Sequence, residues 1–402
     1  MADDPSLLTD VTVLDFSRVL AGPYCTRLLA DLGARVIKVE RPAEGDEVRR
    51  GASQLEEGRN DQSSYFIRLN VGKLGVAIDL GQPAGRDVAF DLVRMADVVV
   101  ENFVPGVMAR LGCDYATLSA IKPDLVYCSI SGFGQTGPLA STAAFAHIIS
   151  AMSGLMDLER EPDPQPRVSY LQAADVLAGT HAFGAILAAL LRRGRTGAGA
   201  WLDVSMLECL VSAEDVTYGS VLNGGPVWPG PRPGMVVHRI GERDLAMQTV
   251  GAPQLWSRLL GLLGKPGLAD DPRFATPIAR RQNWPALRQI IVEWLGRFAT
   301  VDEAVQTLTR ARIPAVPVLS PQEVIQHPHM IARGAFADVA HPARGRVRVT
   351  ATPFRVDGQA PGPRGPAPHR VGEHTRTVLT ELLGYAPERI EELRAKGVIE
   401  TA

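Results

Sequence analysis

The stretch LDFSRVLAGPYCTRLLADLGARVIKVERP, residues 14–42, decides the reading of this chain. An apolar run from Val11 to Phe16 meets the turn Ala21-Gly22-Pro23. A helical pattern follows over Pro23–Leu32, and a second β-branched run, Arg35–Val39, ends on the acid Glu40. Strand, helix and strand closed by an acid outline a dinucleotide-binding unit. The nicotinamide form of that unit needs G-x-G-x-x-G at the first turn, so that backbone amides can approach a pyrophosphate. Here the turn SRVLAGPYC carries one glycine, which argues against NAD. It leaves room for a nucleotide gripped by side chains.

Outward from this unit the alternation continues. Gly75–Ile78, Val98–Val100 and Leu125–Ser131 read as strands, with helices over Gln82–Met95 and Tyr115–Lys122 between them. Such alternation predicts a mostly parallel sheet with both faces covered. After Asp175 comes a small-residue helix, VLAGTHAFGAILAALLRR, and then a strand over Ala200–Val204. NGGPVWPGPRPG, residues 223–234, is too rich in Pro and Gly for regular structure and reads as a linker before a lid. Trp228 within it would line a pocket or cover the junction. Helices are expected around Ala252–Leu263, Asn283–Phe298 and Val301–Ala311, one more over Leu319–Met330, and a last amphipathic one over Thr375–Leu383. Gly345–Val356 reads as a strand, and Gly358–Pro368 as a second Pro/Gly crossing.

Composition sets limits. The 402 residues suit two domains, or one with a smaller one inserted. Forty-two Lys and Arg against 44 Asp and Glu leave a net charge of −2, so nothing points to nucleic acid or an anionic membrane as a general partner. Cys25, Cys113, Cys128 and Cys209 form no C-x-x-C pair and read as buried thiols, with no metal site expected. The acidic start lacks the pattern of a secretory signal, and the longest apolar run, Ala182–Leu191, stops at two arginines. The expected location is cytoplasmic.

Several blocks carry a resemblance to a known family. The opening stretch is followed, in order, by YFIRLNVGKLGVAIDL (65–80), VVVENFVPGVMARLG (98–112), YCSISGFGQTGP (127–138) and GRTGAGAWLDVSML (194–207). DDPRF (270–274), IPAVPV (313–318) and GEHT (372–375) complete the series. Together they resemble the family III CoA-transferases, whose fold the α-methylacyl-CoA racemases share. The resemblance implies an α/β fold with a Rossmann-like large domain built from both chain ends, a small α+β domain, and an interlinked homodimer. The expected boundaries are 1–222 for the first part of the large domain, 223–238 for a linker and 239–325 for the small domain. Residues 326–402 form a second linker and the return. The substrates implied are acyl-CoA and a small carboxylic acid, with no permanently bound cofactor.

CoA needs cations for its phosphates, a stacking surface and a dry groove. The resemblance places Arg18, Val19, Ala21, Lys38, Lys73, Asn102, Phe103 and Arg110 near it. A lone basic residue such as Lys38, Lys73 or Arg110 reads equally well as a solvated charge. Asp175 heads an apolar segment and by itself reads as a helix-cap or first-turn acid. The resemblance makes it the catalytic nucleophile, passing through an aspartyl anhydride and an aspartyl-CoA thioester. Relatives carry a Tyr–acid or His–Asp pair where this chain has Phe145 and Ala146, which disfavours racemase chemistry. His147 and His181 read as packed histidines before proton carriers. Arg18 and Arg232 are candidates to receive the second carboxylate of a dicarboxylic substrate.

Overall fold

The computed structural model describes residues 6–159, 166, 168–214, 217–227, 233–249 and 253–402. Trp228 and Arg232 lie outside the described residues. The chain divides into two compact units. One comprises Met1–Met156, Val168–Val227 and His329–Ala402, the other Asp157–Arg167 and Trp228–Pro328.

The first unit is organised by six parallel strands: β1 (Thr12–Asp15), β2 (Arg35–Glu40), β3 (Lys73–Ile78), β4 (Val98–Glu101), β5 (Val126–Ser131) and β6 (Ala200–Ser205). They lie in the order β3-β2-β1-β4-β5-β6, with the short strand Ile399–Glu400 antiparallel on the outer edge of β3. The strands are Val- and Ile-rich because both faces are covered. On one face Val13, Val36, Val98 and Cys128 pack with residues of the helices Ala21–Asp31 and Ala173–Thr196. On the other, Leu14, Ile37, Val76 and Val99 pack with Val88 and Leu92 of the helix Pro83–Met95. Burying each such side chain stabilises the fold by roughly 1.5–3 kcal/mol.

The helix Ala173–Thr196 outgrows the apolar run seen in the sequence. By length and composition it could cross a membrane, with a mean hydropathy of 1.6 over 18 residues. In the fold it packs against Ala21–Asp31, β5 and β6. Its buried stripe, Ala174, Ala178, Ala182 and Ile186, repeats every fourth residue, which sets small side chains along one face.

In the second unit β7 (Met235–Ile240), β8 (Arg243–Gln248) and β9 (Ala315–Pro317) form an antiparallel sheet. Its core includes Leu259, Ile291 and Leu308 from the helices Pro253–Leu263, Trp284–Leu295 and Val301–Arg310. β7 begins inside the segment 223–238 read as a linker. The helix expected over Leu319–Met330 is two, Pro321–Gln326 and Pro328–Ala332, because Pro328 removes a backbone donor and bars the helical conformation at His327.

Back in the first unit, β10 (Phe336–His341) and β11 (Gly345–Thr350) make a hairpin. The strand expected over Gly345–Val356 therefore ends at Thr350. The final helix is a short turn, Thr375–Thr377, running into a wider-wound Val378–Leu382, and a further helix, Pro387–Ala395, follows it.

Beneath the β1 turn lies a network of buried charge. Lys73 Nζ is 3.0 Å from Asp15 Oδ2 and also donates to Thr26 Oγ1, Asn70 Oδ1 and the Pro23 carbonyl. Lys38 Nζ meets Asp46 at 3.0 Å and the Ser17 carbonyl at 2.8 Å. Arg49 clasps Glu40 through two bonds of 2.7 Å. Burial pulls the Lys73 ammonium down to about 8, even with Asp15 beside it. Removing one partner strands the other charge in the interior. Lys73→Met is therefore expected to destabilise the first unit by about 3–5 kcal/mol in denaturant unfolding; a loss under 1 kcal/mol would count against this account.

Candidate active site and neighbouring cleft

Asp175 occupies the first turn of the helix Ala173–Thr196 and is half-buried. The nearby backbone N–H groups of Ala21 and Ala146, together with its own, favour its ionised form. Ala21 and Ala146 are themselves the first residues of the helices Ala21–Asp31 and Ala146–Met152. Three helix N-termini thus converge on one carboxylate, each with unspent N–H groups and positive dipole ends. Burial opposes them and prevails: it pushes Asp175 up to about 6, while these donors and nearby His147 pull down.

The approach is close because of Gly179. A Cβ there would stand 2.6 Å from the Ala21 carbonyl and 3.1 Å from the Tyr24 ring. Any other residue would push the two helices apart, and Asp175 away from Ala21. Tyr65 flanks the site, its hydroxyl 3.3 Å from Gln172 Oε1. Burial and the Asp175 charge raise that phenol to about 12.

Where β1 and β4 part, the strand order reverses, and open α/β sheets bind ligands there. A cleft of about 680 Å³ lies at that place. Phe16, Ile78, Leu80, Phe103, Val107 and Leu111 give it apolar walls, and Arg18, Arg41 and Arg50 supply cations. The Arg18 guanidinium sits 5.2 Å from the centre of the Phe103 ring. Arg18 and Arg41 also pair with Glu47 and Glu44 at 3.1 and 3.2 Å. Exposed pairs of this kind are worth at most about 1 kcal/mol, so an incoming phosphate can displace them.

Of the residues expected near CoA, Arg18 and Phe103 face the cleft. Asn102 turns its amide to the backbone of Arg18: its Oδ1 accepts from the Arg18 N–H at 2.9 Å and its Nδ2 donates to the Arg18 carbonyl at 2.8 Å. It positions Arg18. Val19 N–H donates to both Asp46 oxygens at 3.2 and 3.3 Å, and its φ of 66° is rare for a β-branched residue. Ala21 serves Asp175. Lys38 borders the cleft floor but is 0% exposed and paired with Asp46, and Lys73 is buried with four partners. Lys73, with four acceptors, has no hydrogen left for a phosphate at the surface, and Lys38 spends two of its three on Asp46 and the Ser17 carbonyl. Arg110 is exposed at the end of the helix Val107–Arg110, outside the cleft lining.

Sequence reasoning missed Arg41, Arg50 and the Ala146 N–H. The charge-dense run ERPAEGDEVRR could have pointed to the arginines; a backbone donor on an alanine has no sequence signal. His181 is exposed, with Nδ1 bonded to the Leu177 carbonyl of its own helix at 2.8 Å. His147 is half-buried beside Asp175, and its Nδ1 has no partner.

Residues 8–375 match the family model for CoA-transferase family III. The chain belongs to that family. Over 405 aligned residues it is 34% identical to the succinyl-CoA:glutarate CoA-transferase of Mus musculus, covering 99% of this chain and 91% of that one. The formyl-CoA:oxalate CoA-transferase of Streptomyces avermitilis is 33% identical, covering 98% and 99%. Among solved structures, a CaiB/BaiF family protein from Brucella suis superposes with a TM-score of 0.79 at 33% identity, covering 94% of this chain and 100% of that one. Rv3272 from Mycobacterium tuberculosis gives 0.81 at 28%, covering 93% and 99%. This protein is thus a family III CoA-transferase, and the NAD reading of its first turn is closed.

Two outcomes are expected of this CoA-transferase. Gly179→Ala should lower kcat at least roughly tenfold with Asp175 intact, since displacements of about 1 Å cost this much or more; unchanged kcat would refute the close-approach argument. Asp175→Asn should raise thermal stability at pH 7. The folded protein holds the proton more tightly than the unfolded chain, so this carboxyl's contribution is full below 3.8 and lost as pH rises through about 6. The stability gap between variant and wild type should therefore open across that window in parallel melts.

Proposed function

We propose that this enzyme moves CoA from an acyl-CoA to a free carboxylic acid, with Asp175 as nucleophile. The observation that carries the reading is the convergence of the Ala21 and Ala146 N–H groups on a half-buried carboxylate. Ala21, at the carboxylate, is three positions after Arg18, in the cleft, a span of at most about 11 Å. The nucleotide end of CoA would lie in the cleft, its phosphates met by Arg18, Arg41 and Arg50, its thioester extended toward Asp175.

The ionised carboxylate attacks the thioester carbonyl. The C–S bond breaks, giving an aspartyl–acyl anhydride and CoA thiolate. The thiolate attacks the aspartyl carbonyl of the anhydride, releasing the first acid and leaving an aspartyl-CoA thioester. An incoming carboxylate attacks that thioester, expels the thiolate and forms a second anhydride. The thiolate then takes the new acyl group and restores Asp175. Backbone donors aimed at the carboxylate are placed to meet the oxyanions that form on it. A nucleophile pushed up to about 6 is ionised at neutral pH and still basic enough to attack.

The assembly we infer is a homodimer. The helix Ala173–Thr196 is strongly apolar, yet only 33% of its most apolar window is buried within one chain. Leu191 is 64% exposed, and a second copy is the partner that would cover it. The four cysteines are free and buried, which accords with a reducing, cytoplasmic setting.

His147 favours one second reading, isomerisation at the α-carbon, because it sets a proton carrier beside Asp175. Intact mass spectrometry after brief mixing with acyl-CoAs, succinyl-CoA first, tests the lead. A CoA-sized adduct on wild type and none on Asp175→Ala is expected, with transfer activity falling as pH drops through about 6. No adduct and no transfer, with solvent deuterium entering the α-position without an acceptor acid, would replace transfer by isomerisation.

A further inference from the structure

A second cluster of reactive side chains lies apart from Asp175 and from the cleft. Glu56 lies in the loop before the helix Ser64–Asn70, His341 ends β10, and His369 precedes the helix Thr375–Thr377. Glu56 Oε2 is 2.7 Å from His369 Nε2. The rings of His341 and His369 meet edge to face, 5.2 Å between centres. One ligand atom from each of the three residues lies within 4.8 Å of the other two, the one such group among the described residues. His341 is 5% exposed, and its Nε2 is buried with no hydrogen-bond partner. Buried polar atoms are rarely left this way.

We propose that Glu56, His341 and His369 together bind one divalent metal ion of the zinc type. Two imidazoles and a carboxylate form a borderline nitrogen–oxygen set that suits zinc, with water completing a tetrahedron. Ligands at roughly 2.0–2.1 Å from zinc stand about 3.4 Å apart. Small side-chain rotations would open the Glu56–His369 pair and draw in His341. The Arg344 N–H reaches His341 Nδ1 at a long 3.3 Å. Moving the ring proton to Nδ1 gives up that contact and frees the Nε2 lone pair for the metal. Of the nearby cations, Arg59 is paired with Asp61 at 2.8 and 2.7 Å, while Arg344, bonded to the Leu55 carbonyl at 3.2 Å, keeps its charge, which Glu56 would offset at the ion.

The ligands come from three segments far apart in the chain, beside the apolar cluster of Val48, Phe66, Val339 and Val347. The ion's role is structural: it ties the β10–β11 hairpin and the loop leading to Thr375 to the segment that carries Glu56. The transfer chemistry at Asp175 does not use it.

The test uses the full-length, tag-free chain, stripped with a chelator and titrated with zinc chloride by calorimetry, with cobalt(II) as a spectroscopic probe. One equivalent is expected, with a raised Tm and the visible bands of tetrahedral cobalt. Glu56→Gln and His369→Ala should each weaken zinc binding roughly tenfold or more and leave CoA transfer intact without metal. Should His341→Ala fail to fold, the partly exposed Glu56→Gln still decides. No binding at micromolar zinc, or one equivalent bound equally well by both variants, would overturn the site.

Discussion

The buried pair between Lys73 and Asp15, under the first strand-to-helix turn, is the constraint on which the rest depends. Asp15 also accepts from the Ser17 backbone N–H at 2.9 Å and from the hydroxyls of Ser17 and Thr26. Lys38 and Asp46 continue the lattice, and Asp46 holds the Val19 N–H of a residue whose left-handed conformation costs on the order of 1–3 kcal/mol. Charges taken out of water stabilise little on balance, since desolvation offsets their attraction. What they do here is fix one conformation of the segment from Ser17 to Ala21. One end of that segment presents Arg18 to the cleft, and the other presents the Ala21 N–H to Asp175.

At Asp175 two physical effects are set against each other. Backbone donors from three helix starts favour the anion, while a half-buried setting disfavours it, and the second is larger. That balance suits the nucleophile role proposed for Asp175, which needs charge to attack and shelter from bulk water once acylated. Gly179 is the packing condition for this arrangement, because the helices cross too closely to admit a side chain. Phe145 is 69% exposed and Ala146 contributes its backbone, so the departure from the relatives' side-chain pair leaves the donor to the main chain.

The strands β1 to β6 were legible because both-face burial writes continuous β-branched runs into the sequence, and the helices Ala21–Asp31, Pro83–Met95 and Tyr115–Ile121 were legible by their period, whereas the short helices Ser64–Asn70, Val107–Arg110 and Ala146–Met152 were not. Ile399–Glu400 is two residues long and carries no pattern of its own; it pairs because β3 offers an open edge. The long helix showed its apolar character but not its full length. In the candidate site, Asp175, Arg18 and Phe103 were legible as residue types in a family's order. That Lys38 and Lys73 end at buried carboxylates was not legible, because a lysine that ends at a phosphate and one that ends at a buried carboxylate look the same in one dimension.

By itself the amino-acid sequence determined the alternating strand–helix order, the poverty of glycine that turns away a dinucleotide, and the family to which the chain belongs. All of these rest on local periodicity or on short runs of neighbours. Only the tertiary structure decided which cations are spent inside and which remain for a ligand. It alone brought the starts of two helices, at positions 21 and 146, to a carboxylate in the first turn of a third. The reason is physical: hydrogen-bond donation by a backbone and desolvation of a charge depend on distance and burial, and neither is a property of a residue's name.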